Sequence, residues 1–202
     1  MKQLVDCKIV MVEAIKRIRE ITGAGVVDIK KAFDEAGGDE KKAIEILRKK
    51  GLEKAAKKGD REAREGVVMS YVHGNGKVAG IVKVFCETDF VAKNEEFQAL
   101  AKDIAMQIVA MNPKYLNPED VPAEEIAKHK EEWKKDLIAE GKSEEIAEKA
   151  LAGKEEKFRK ENALMTQSFV KNPDMTIGDH VKEKIAKVGE NIQVGEFFRM
   201  EV

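Results

Sequence analysis

The side chains that most often catalyse reactions or bind metals are few in this sequence and widely spaced. The three histidines, His73, His129 and His180, share no metal-ligand spacing, and the cysteines Cys7 and Cys86 form neither a CxxC nor a Cys/His pattern. Carboxylates are abundant, but no pair of them is spaced as a catalytic couple. The sequence therefore predicts no catalytic residue, no metal site, no cofactor and no disulfide, and it predicts that the histidines are solvated surface residues.

Two further patterns are superficially similar to ligand-binding motifs. The run HGNGK at residues 73–77 lacks the spacing of a phosphate-binding loop and precedes a strand pattern, which favours a hairpin turn. The basic clusters at residues 48–50 and 54–58 have no interleaved aromatic residue on which a base could stack, which favours solvated helix ends over RNA binding. With 37 Lys and Arg against 38 Asp and Glu, the overall charge gives no reason to expect direct contact with nucleic acid.

One segment is harder to explain as ordinary surface. In the run CETDFVAKN at residues 86–94, Phe90 lies in a polar junction between a strand pattern and a helix pattern. Two interpretations stay open for this side chain. It is either a buried staple under the helix that contains Phe97, or an exposed anchor for a partner molecule.

Three short helices are predicted in the first fifty residues. Apolar residues at helical spacing indicate a first helix over residues 11–21, a second from about Val26 to Gly37, and a third from the cap residue Asp39 to Gly51. Residues 52–65 have no apolar stripe and are predicted to be a charged linker that can also be helical. The predicted domains are therefore residues 1–52 and 66–202, joined by a linker at 53–65.

The second predicted domain combines strands and helices into a small α+β core. β-branched runs at residues 67–72 and 78–86 predict a hairpin, and an apolar stripe from Phe97 to Met111 predicts a long helix across its apolar face. A thin apolar seam broken at Gly141 predicts an inserted antiparallel helical hairpin at about residues 123–165. Its seam residues are Ile126, Trp133, Leu137, Ile146, Ala150, Leu151 and Phe158. A short helix capped by Thr176 and a strand over residues 191–200 complete the core.

The cellular location can be predicted from what the sequence does not contain. No window of about 18 apolar residues occurs, and the first residues lack the apolar region and cleavage site of a signal peptide. Two scattered cysteines fit a reducing compartment. A cytoplasmic protein without a membrane partner is expected.

Three runs of the sequence are similar to signatures of a known family. They are TGAGVVDIKKA at residues 22–32, TDFVAKN at residues 88–94 and VGENI at residues 188–192. In sequence and order they resemble the bacterial elongation factor Ts family, and the resemblance covers essentially the whole chain. It implies a guanine-nucleotide exchange factor that binds elongation factor Tu, displaces its GDP and Mg²⁺, and allows GTP to rebind.

The resemblance also implies a fold and a set of partner-binding residues. The fold is an N-terminal three-helix bundle of the ubiquitin-associated type, followed by an α+β core with an antiparallel sheet and the helical hairpin. The loop that dislocates magnesium from the GTPase corresponds to Thr88, Asp89, Phe90 and Val91. The N-terminal contact corresponds to Thr22, Gly23, Ala24, Gly25, Val26, Val27, Asp28, Lys30 and Lys31.

Two departures from the family pattern affect these expectations. Longer members carry two copies of the core, whereas this sequence has one, which predicts that two chains pair as a homodimer. Many members also have two arginines before an aromatic residue where this sequence has QVGEFFR at residues 193–199, so no contact is assigned there. Two other functions are considered beside the exchange factor. One is a ubiquitin-like or RNA-binding adaptor without exchange activity, and the other is a hydrolase. The adaptor leaves the run at residues 88–94 unexplained.

Overall fold

The computed structural model describes residues 2–74 and 76–202, and it describes side chains from residue 11 onward except those of Asn75 and Glu144. The helices are α1 (Lys2–Thr22), α2 (Val26–Glu35), α3 (Glu40–Ala56), α4 (Asp89–Ala92), α5 (Glu95–Met111), α6 (Ala123–Ala139), α7 (Glu144–Asn162) and α8 (Ile177–Val188). The strands are β1 (Glu65–His73), β2 (Val78–Cys86), β3 (Ser168–Phe169), β4 (Asn172–Thr176) and β5 (Ile192–Glu201). The predicted combination of helices and strands is confirmed. The side chain of Cys7 and part of the predicted turn at 73–76 lie outside the described residues.

The chain forms two compact units, and each unit combines three segments of the sequence. The first contains residues 1–67, 84–100 and 181–193, and the second contains residues 68–83, 101–180 and 194–202. The domains predicted at 1–52 and 66–202 stay a prediction.

In the first unit, α1, α2 and α3 pack around a small apolar core. Its buried residues are Ile18, Ile29, Ala32, Ala43 and Leu47. The helix ends follow local chemistry, since the carboxylate of Asp39 accepts the backbone N–H groups of Lys41 at 2.9 Å and Lys42 at 3.2 Å. Helix α3 continues past its predicted end at Gly51 to Ala56, so it includes the start of the predicted linker. Whether this bundle is of the ubiquitin-associated type stays a prediction.

The C-terminal part of α8 packs against α3 within the same unit. Gly51 allows this approach, because a Cβ atom there would lie 3.1 Å from the Cβ of Ala186. An ion pair joins Arg48 to Glu183 at 3.2 Å. The middle of the predicted linker is also held in place, since the side-chain amide of Asn191 donates to the carbonyls of Gly59 at 3.2 Å and Arg61 at 2.6 Å.

The second unit contains most of the hairpin, of the long helix α5 and of the C-terminal strand. The sheet order is β1-β2-β5, and the N–H of Val202 donates to the carbonyl of Lys77 at 3.0 Å, so β5 runs antiparallel to β2. The predicted packing of α5 across the hairpin is confirmed at Gly80, where a Cβ atom would lie 2.9 Å from the carbonyl oxygen of Ala105. Met111 was predicted in the apolar stripe, but it is 48% exposed because α5 ends there.

Helices α6 and α7 pack side by side and are joined by a short turn. Ile126 and Leu137 are buried as predicted, and Phe158 contacts both His129 and Trp133, at ring-centroid distances of 4.4 and 5.8 Å. The prediction for Ile146 is wrong, since its side chain is 56% exposed and the adjacent Ala147 is buried instead. The reason is helical phase: residues 147, 151, 154 and 158 are three or four positions apart and lie on one face.

Strands β3 and β4 form a second, two-stranded sheet that the sequence did not predict. Ser168 pairs with Thr176, and Phe169 stacks on His180 at 4.7 Å between ring centroids. The prediction of a solvated histidine is wrong for His180, because its side chain is 12% exposed and its Nε2 lies 3.3 Å from Asp103. Burial opposes ionisation of Asp103, but hydrogen bonds from His180 and Lys171 outweigh it and lower the pKa of that carboxyl.

The described part of the chain contains neither a membrane-spanning helix nor a metal-binding cluster. None of its helices has both the length and the apolar character that a bilayer crossing requires. Its histidine, cysteine and carboxylate side chains form no group of three that could hold a metal ion.

Candidate functional site

The run of residues 88–91 was predicted as a loop, but it forms the N-cap and most of the single helical turn α4. Thr88 is the N-cap residue, with extended backbone angles, and its Oγ1 accepts a hydrogen bond from the N–H of Val91 at 3.4 Å. Ala92 at the end of the turn is buried, and Val91 is half-buried. We call residues 88–92 the Phe90 turn.

Phe90 extends from this turn into solvent. Its side chain is 82% exposed, so the interpretation of a buried staple under the next helix is wrong. Phe97, near the start of α5, is fully buried, so the core beneath this end of the helix is filled without the Phe90 ring. Asp89 is also exposed and forms an ion pair with Lys93 at 2.8 Å, and the hydrogen bond from Lys93 lowers the pKa of Asp89. The tip therefore presents one large apolar side chain beside a carboxylate that is already paired.

The opposite side of the turn is held by Glu190, which lies far away in the sequence. The carboxylate of Glu190 accepts the N–H of Thr88 at 3.0 Å and its hydroxyl at 2.7 Å. The Thr88 hydroxyl thus has one bond as a donor and one as an acceptor within its own chain. Of the four residues predicted to act on the magnesium ion, Thr88 supports the turn and Phe90 protrudes from it.

Residues beside the Phe90 turn form further hydrogen bonds between it and the C-terminal segment. The N–H of Asn191 donates to Glu87 at 2.6 Å, and Arg61 lies 3.6 Å from the same carboxylate. The thiol of Cys86 donates to the carbonyl of Thr88 at 3.2 Å. Burial, followed by the charge of Glu190, raises the pKa of Cys86 to about 11, so the thiol stays protonated at neutral pH. Glu190 and Asn191 were missed as site residues, although the run at 188–192 pointed to them.

The N-terminal candidate segment is shaped mainly by local contacts. Thr22 donates its hydroxyl to the carbonyl of Ile18 at 2.7 Å and accepts the N–H of Ala24 at 3.3 Å. Gly23 has φ of 66°, in the left-handed region that favours glycine, and it ends α1. Gly25 has extended backbone angles and begins α2 without a side-chain cap. The result is a sharp reversal between two helices.

Apolar side chains are exposed at this reversal. Ile21, Val26 and Val27 are 60%, 49% and 67% exposed, while Ala24 packs against the bundle core. Asp28 forms an ion pair with Lys54 at 2.8 Å, and this bond lowers the pKa of Asp28. Lys30 and Lys31 are exposed on α2. The segment therefore combines an exposed apolar patch with positive charges.

Both candidate segments belong to the first unit, and α8 contacts the surroundings of each. The side chain of Lys187 passes over Gly23, where a Cβ atom would lie 2.5 Å from its Cγ. The ammonium of Lys187 bonds to Glu96 at 2.6 Å, and Lys184 bonds to the same carboxylate. These two bonds lower the pKa of Glu96 to about 2. Glu96 lies in the first turn of α5, directly after the Phe90 turn.

Comparison with known proteins agrees with the three signature runs. Residues 44–202 match the family described as Elongation factor TS, a match that covers most of the chain and includes the runs at 88–94 and 188–192. The chain belongs to the elongation factor Ts family. The run at 22–32 precedes that match, but it is covered by relatives that align with nearly the whole chain.

Three relatives show how far the similarity to the elongation factor Ts family extends. The elongation factors Ts of Carboxydothermus hydrogenoformans and Syntrophomonas wolfei are each 52% identical over 190 residues, 94% of this chain, and that alignment covers 88% and 89% of their lengths. The elongation factor Ts of Fervidobacterium nodosum is 49% identical over 190 residues, covering 96% of its length. The expected nucleotide-exchange role is thereby confirmed, and the family implies elongation factor Tu as the partner. The exchange factor is favoured over the adaptor and the hydrolase.

Proposed function

We propose that Phe90 is the side chain through which this exchange factor dislocates Mg²⁺ from elongation factor Tu and thereby releases GDP. The observation that carries the proposal is the 82% exposure of a phenylalanine on a turn whose backbone is fixed by hydrogen bonds. A large apolar side chain held in water is free to be buried in a partner, and buried aromatic anchors supply much of the free energy of binding at protein interfaces.

The free energies involved define what the factor must do. A GTPase that binds GDP with nanomolar affinity holds it by about 12 kcal/mol, so rapid exchange requires that several kcal/mol of this be removed. Coupling between two ligands is reciprocal, so a factor that weakens GDP binding is itself released by GDP and by GTP. The factor therefore binds the nucleotide-free GTPase most tightly, and the reaction includes no covalent step.

The magnesium ion is the target because it neutralises the phosphate charge. A phenyl ring inserted beside the ion shifts the groups that coordinate it and offers no ligand in their place. Without the ion, the phosphates of GDP repel one another and the surrounding carboxylates, and GDP dissociates faster. Asp89, Phe90 and Val91 would face the GTPase, and Thr88 would support them from behind.

The segment from Thr22 to Lys31 is proposed as the second contact with the GTPase. Val26 and Val27 provide its exposed apolar surface, and Lys30 and Lys31 provide positive charge. Once one segment of the chain is bound, the other meets the GTPase at a high effective concentration. The N-terminal segment would therefore keep the partner bound while Phe90 dislocates the magnesium ion. In this proposal residues 1–52 form a GTPase-binding domain of the ubiquitin-associated type. The cytoplasm, where translation elongation takes place, is the proposed location.

The variant Phe90→Ala tests the proposal. We expect release of fluorescent GDP from elongation factor Tu to slow at least about tenfold in stopped-flow measurements, equivalent to about 1.4 kcal/mol in barrier height. The melting temperature should stay close to that of the wild type, because the ring is largely in water already. The matched control is Ile138→Ala, since Ile138 is another exposed apolar residue, at 55%, in a different helix. An unchanged release rate with Phe90→Ala would refute the proposal.

Repeating the measurement with Mg²⁺ chelated tests the magnesium step separately. When the ion is already absent, a side chain that acts by dislocating it has less to contribute. The defect of Phe90→Ala should therefore shrink towards the wild-type rate. A tenfold defect that persists in chelator would show that Phe90 acts on GDP by another route.

The homodimer is proposed from the second unit. Its three-stranded sheet has one face covered by α5, whereas apolar side chains on the other face are exposed. They are Val68, Val72, Ile81, Phe198 and Met200, with exposures between 40% and 74%. The ion pair between Lys83 and Glu196 lies beside them, and two copies of such a face can cover each other around a two-fold axis. Light scattering at micromolar concentration should give twice the chain mass, and a monomer mass with full exchange activity would contradict it.

A further inference from the structure

We propose that Glu190 is a positioning residue for nucleotide exchange, which holds Thr88 and thereby directs Phe90 towards the GTPase. The inference rests on the proposed function of Phe90, and it adds a residue from the distant C-terminal segment. Glu190 would not touch the partner, the nucleotide or the metal. Its effect on exchange would pass entirely through the Phe90 turn.

The geometry gives Glu190 control over the residue that begins the turn. Its two carboxylate oxygens accept the N–H and the hydroxyl of Thr88 at 3.0 and 2.7 Å, and bonds to an ionised acceptor are stronger than neutral ones. Because the hydroxyl hydrogen points to Glu190, a lone pair of the same oxygen is available to the N–H of Val91. The carboxylate thus fixes both the backbone and the side-chain orientation of the N-cap.

A turn this short needs such external support. Helix α4 has 4 residues, and a single helical turn is not stable in water by itself. The Phe90 ring is 82% exposed, so packing within its own unit contributes little to its direction. The direction of the ring therefore follows from the backbone that Thr88 begins.

Glu190 is itself held in place by its neighbours. The next residue, Asn191, is 1% exposed and donates its N–H to Glu87 at 2.6 Å. Its side-chain amide donates to the carbonyls of Gly59 and Arg61. The two glutamates thus form reciprocal hydrogen bonds. Glu87 accepts the N–H of the residue after Glu190, and Glu190 accepts the N–H of the residue after Glu87. This arrangement makes residues 190–191 a firm support.

A double-mutant cycle tests the inference in the full-length chain. Glu190→Gln keeps the side-chain size but replaces one acceptor oxygen by an amide NH2 group that can only donate, so the side chain can no longer accept both the N–H and the hydroxyl of Thr88. We expect GDP release to slow about fivefold in the wild-type background, less than the effect of removing the Phe90 ring itself, because the ring is still present but less firmly directed. In the Phe90→Ala background the same change should slow release less than about twofold, since the residue it positions is gone.

Two controls separate positioning from stability. Glu96→Gln makes the same chemical change in the same unit, at a carboxylate that also accepts two bonds, and it should lower the melting temperature without slowing release. The second control is a thermal melt of every variant, because a positioning role predicts that Glu190→Gln slows release more than Glu96→Gln does at a comparable loss in melting temperature. If Glu190→Gln does not fold, Thr88→Val removes the hydroxyl from the same bond and permits the same cycle.

The outcomes are distinguishable. Equal slowing by Glu190→Gln in both backgrounds, or no slowing in either, would overturn the positioning role while leaving the role of Phe90 intact. If Phe90→Ala alone leaves the release rate unchanged, the proposed function itself is refuted and the positioning role with it. A fivefold effect that disappears in the Phe90→Ala background supports both.

Discussion

The two candidate partner-binding segments are both organised by a threonine, but the threonines bond to different parts of the chain. Thr22 bonds to Ile18 and Ala24, within 4 residues of itself. Thr88 bonds to Val91, within its own turn, and to Glu190, 102 residues away. The first segment is shaped by hydrogen bonds between neighbouring residues, whereas the second depends on the fold of the whole unit.

The roles proposed for the two segments rest on this difference. A helix reversal built from neighbouring residues forms with its bundle and offers a surface to which the partner can bind. A turn supported from a distant segment holds a single side chain in a defined direction. The proposed insertion of Phe90 into the GTPase requires such a fixed direction.

The two threonines should respond very differently to removal of the hydroxyl. Thr88→Val leaves a carboxylate oxygen of Glu190 and the N–H of Val91 without partners, so we expect a loss of about 2 kcal/mol in the free energy of unfolding. Thr22→Val should cost only about 0.5 kcal/mol, because the carbonyl of Ile18 lies in a helix and keeps its backbone bond. Urea unfolding of both variants measures the difference. Equal losses would contradict the distinction between local and distant support.

The two glycines of the N-terminal reversal provide a matched pair. Gly23→Ala places a side chain at φ of 66° and against Lys187, so it should cost about 1 to 2 kcal/mol in stability. Gly25→Ala should change stability by less than about 0.5 kcal/mol, since Gly25 has φ of −66° and open space at the Cβ position. Thermal melts of the two variants compare them. If Gly25→Ala were the more damaging change, the local account of this reversal would be wrong.

The ion pairs of Glu96 should give a small and pH-dependent contribution. Its pKa of about 2 in the folded chain lies below the ordinary value of 4.5, so the stabilisation is complete above about pH 4.5 and is lost as the pH falls towards 2. The carboxylate is 41% exposed, and solvent screening limits the effect to less than about 1 kcal/mol. The stability difference between wild type and Glu96→Gln should therefore shrink between pH 4.5 and pH 2. A difference that grows on acidification would reverse the sign and contradict this prediction.

The sequence predicted much of the fold because its signals there are local. The apolar periodicity of α1, α2, α3 and α5, the cap at Asp39 and the β-branched runs of β1 and β2 act over a few residues. Errors occurred where phase or pairing decides the outcome. At Ile146 and Ala147 the helical phase set by Leu151 and Phe158 buries the smaller residue, so hydrophobicity pointed to the wrong one. Strand β3 has only 2 residues and β4 begins with Asn, Pro and Asp, which are typical of turns, so neither gives a strand pattern. His180 is buried where it stacks on Phe169 of β3.

For the candidate site, the sequence alone selected the candidate residues, through three signature runs and an aromatic residue in a polar junction. It could not determine whether Phe90 is buried or exposed, because a junction residue packs on its own helix or faces solvent according to what else fills the space. The tertiary structure decided this, since Phe97 covers the start of α5 and Glu190 holds the turn from behind. A bond between residues 102 positions apart leaves no periodic trace in the sequence, so only the folded chain brings the third run against the second.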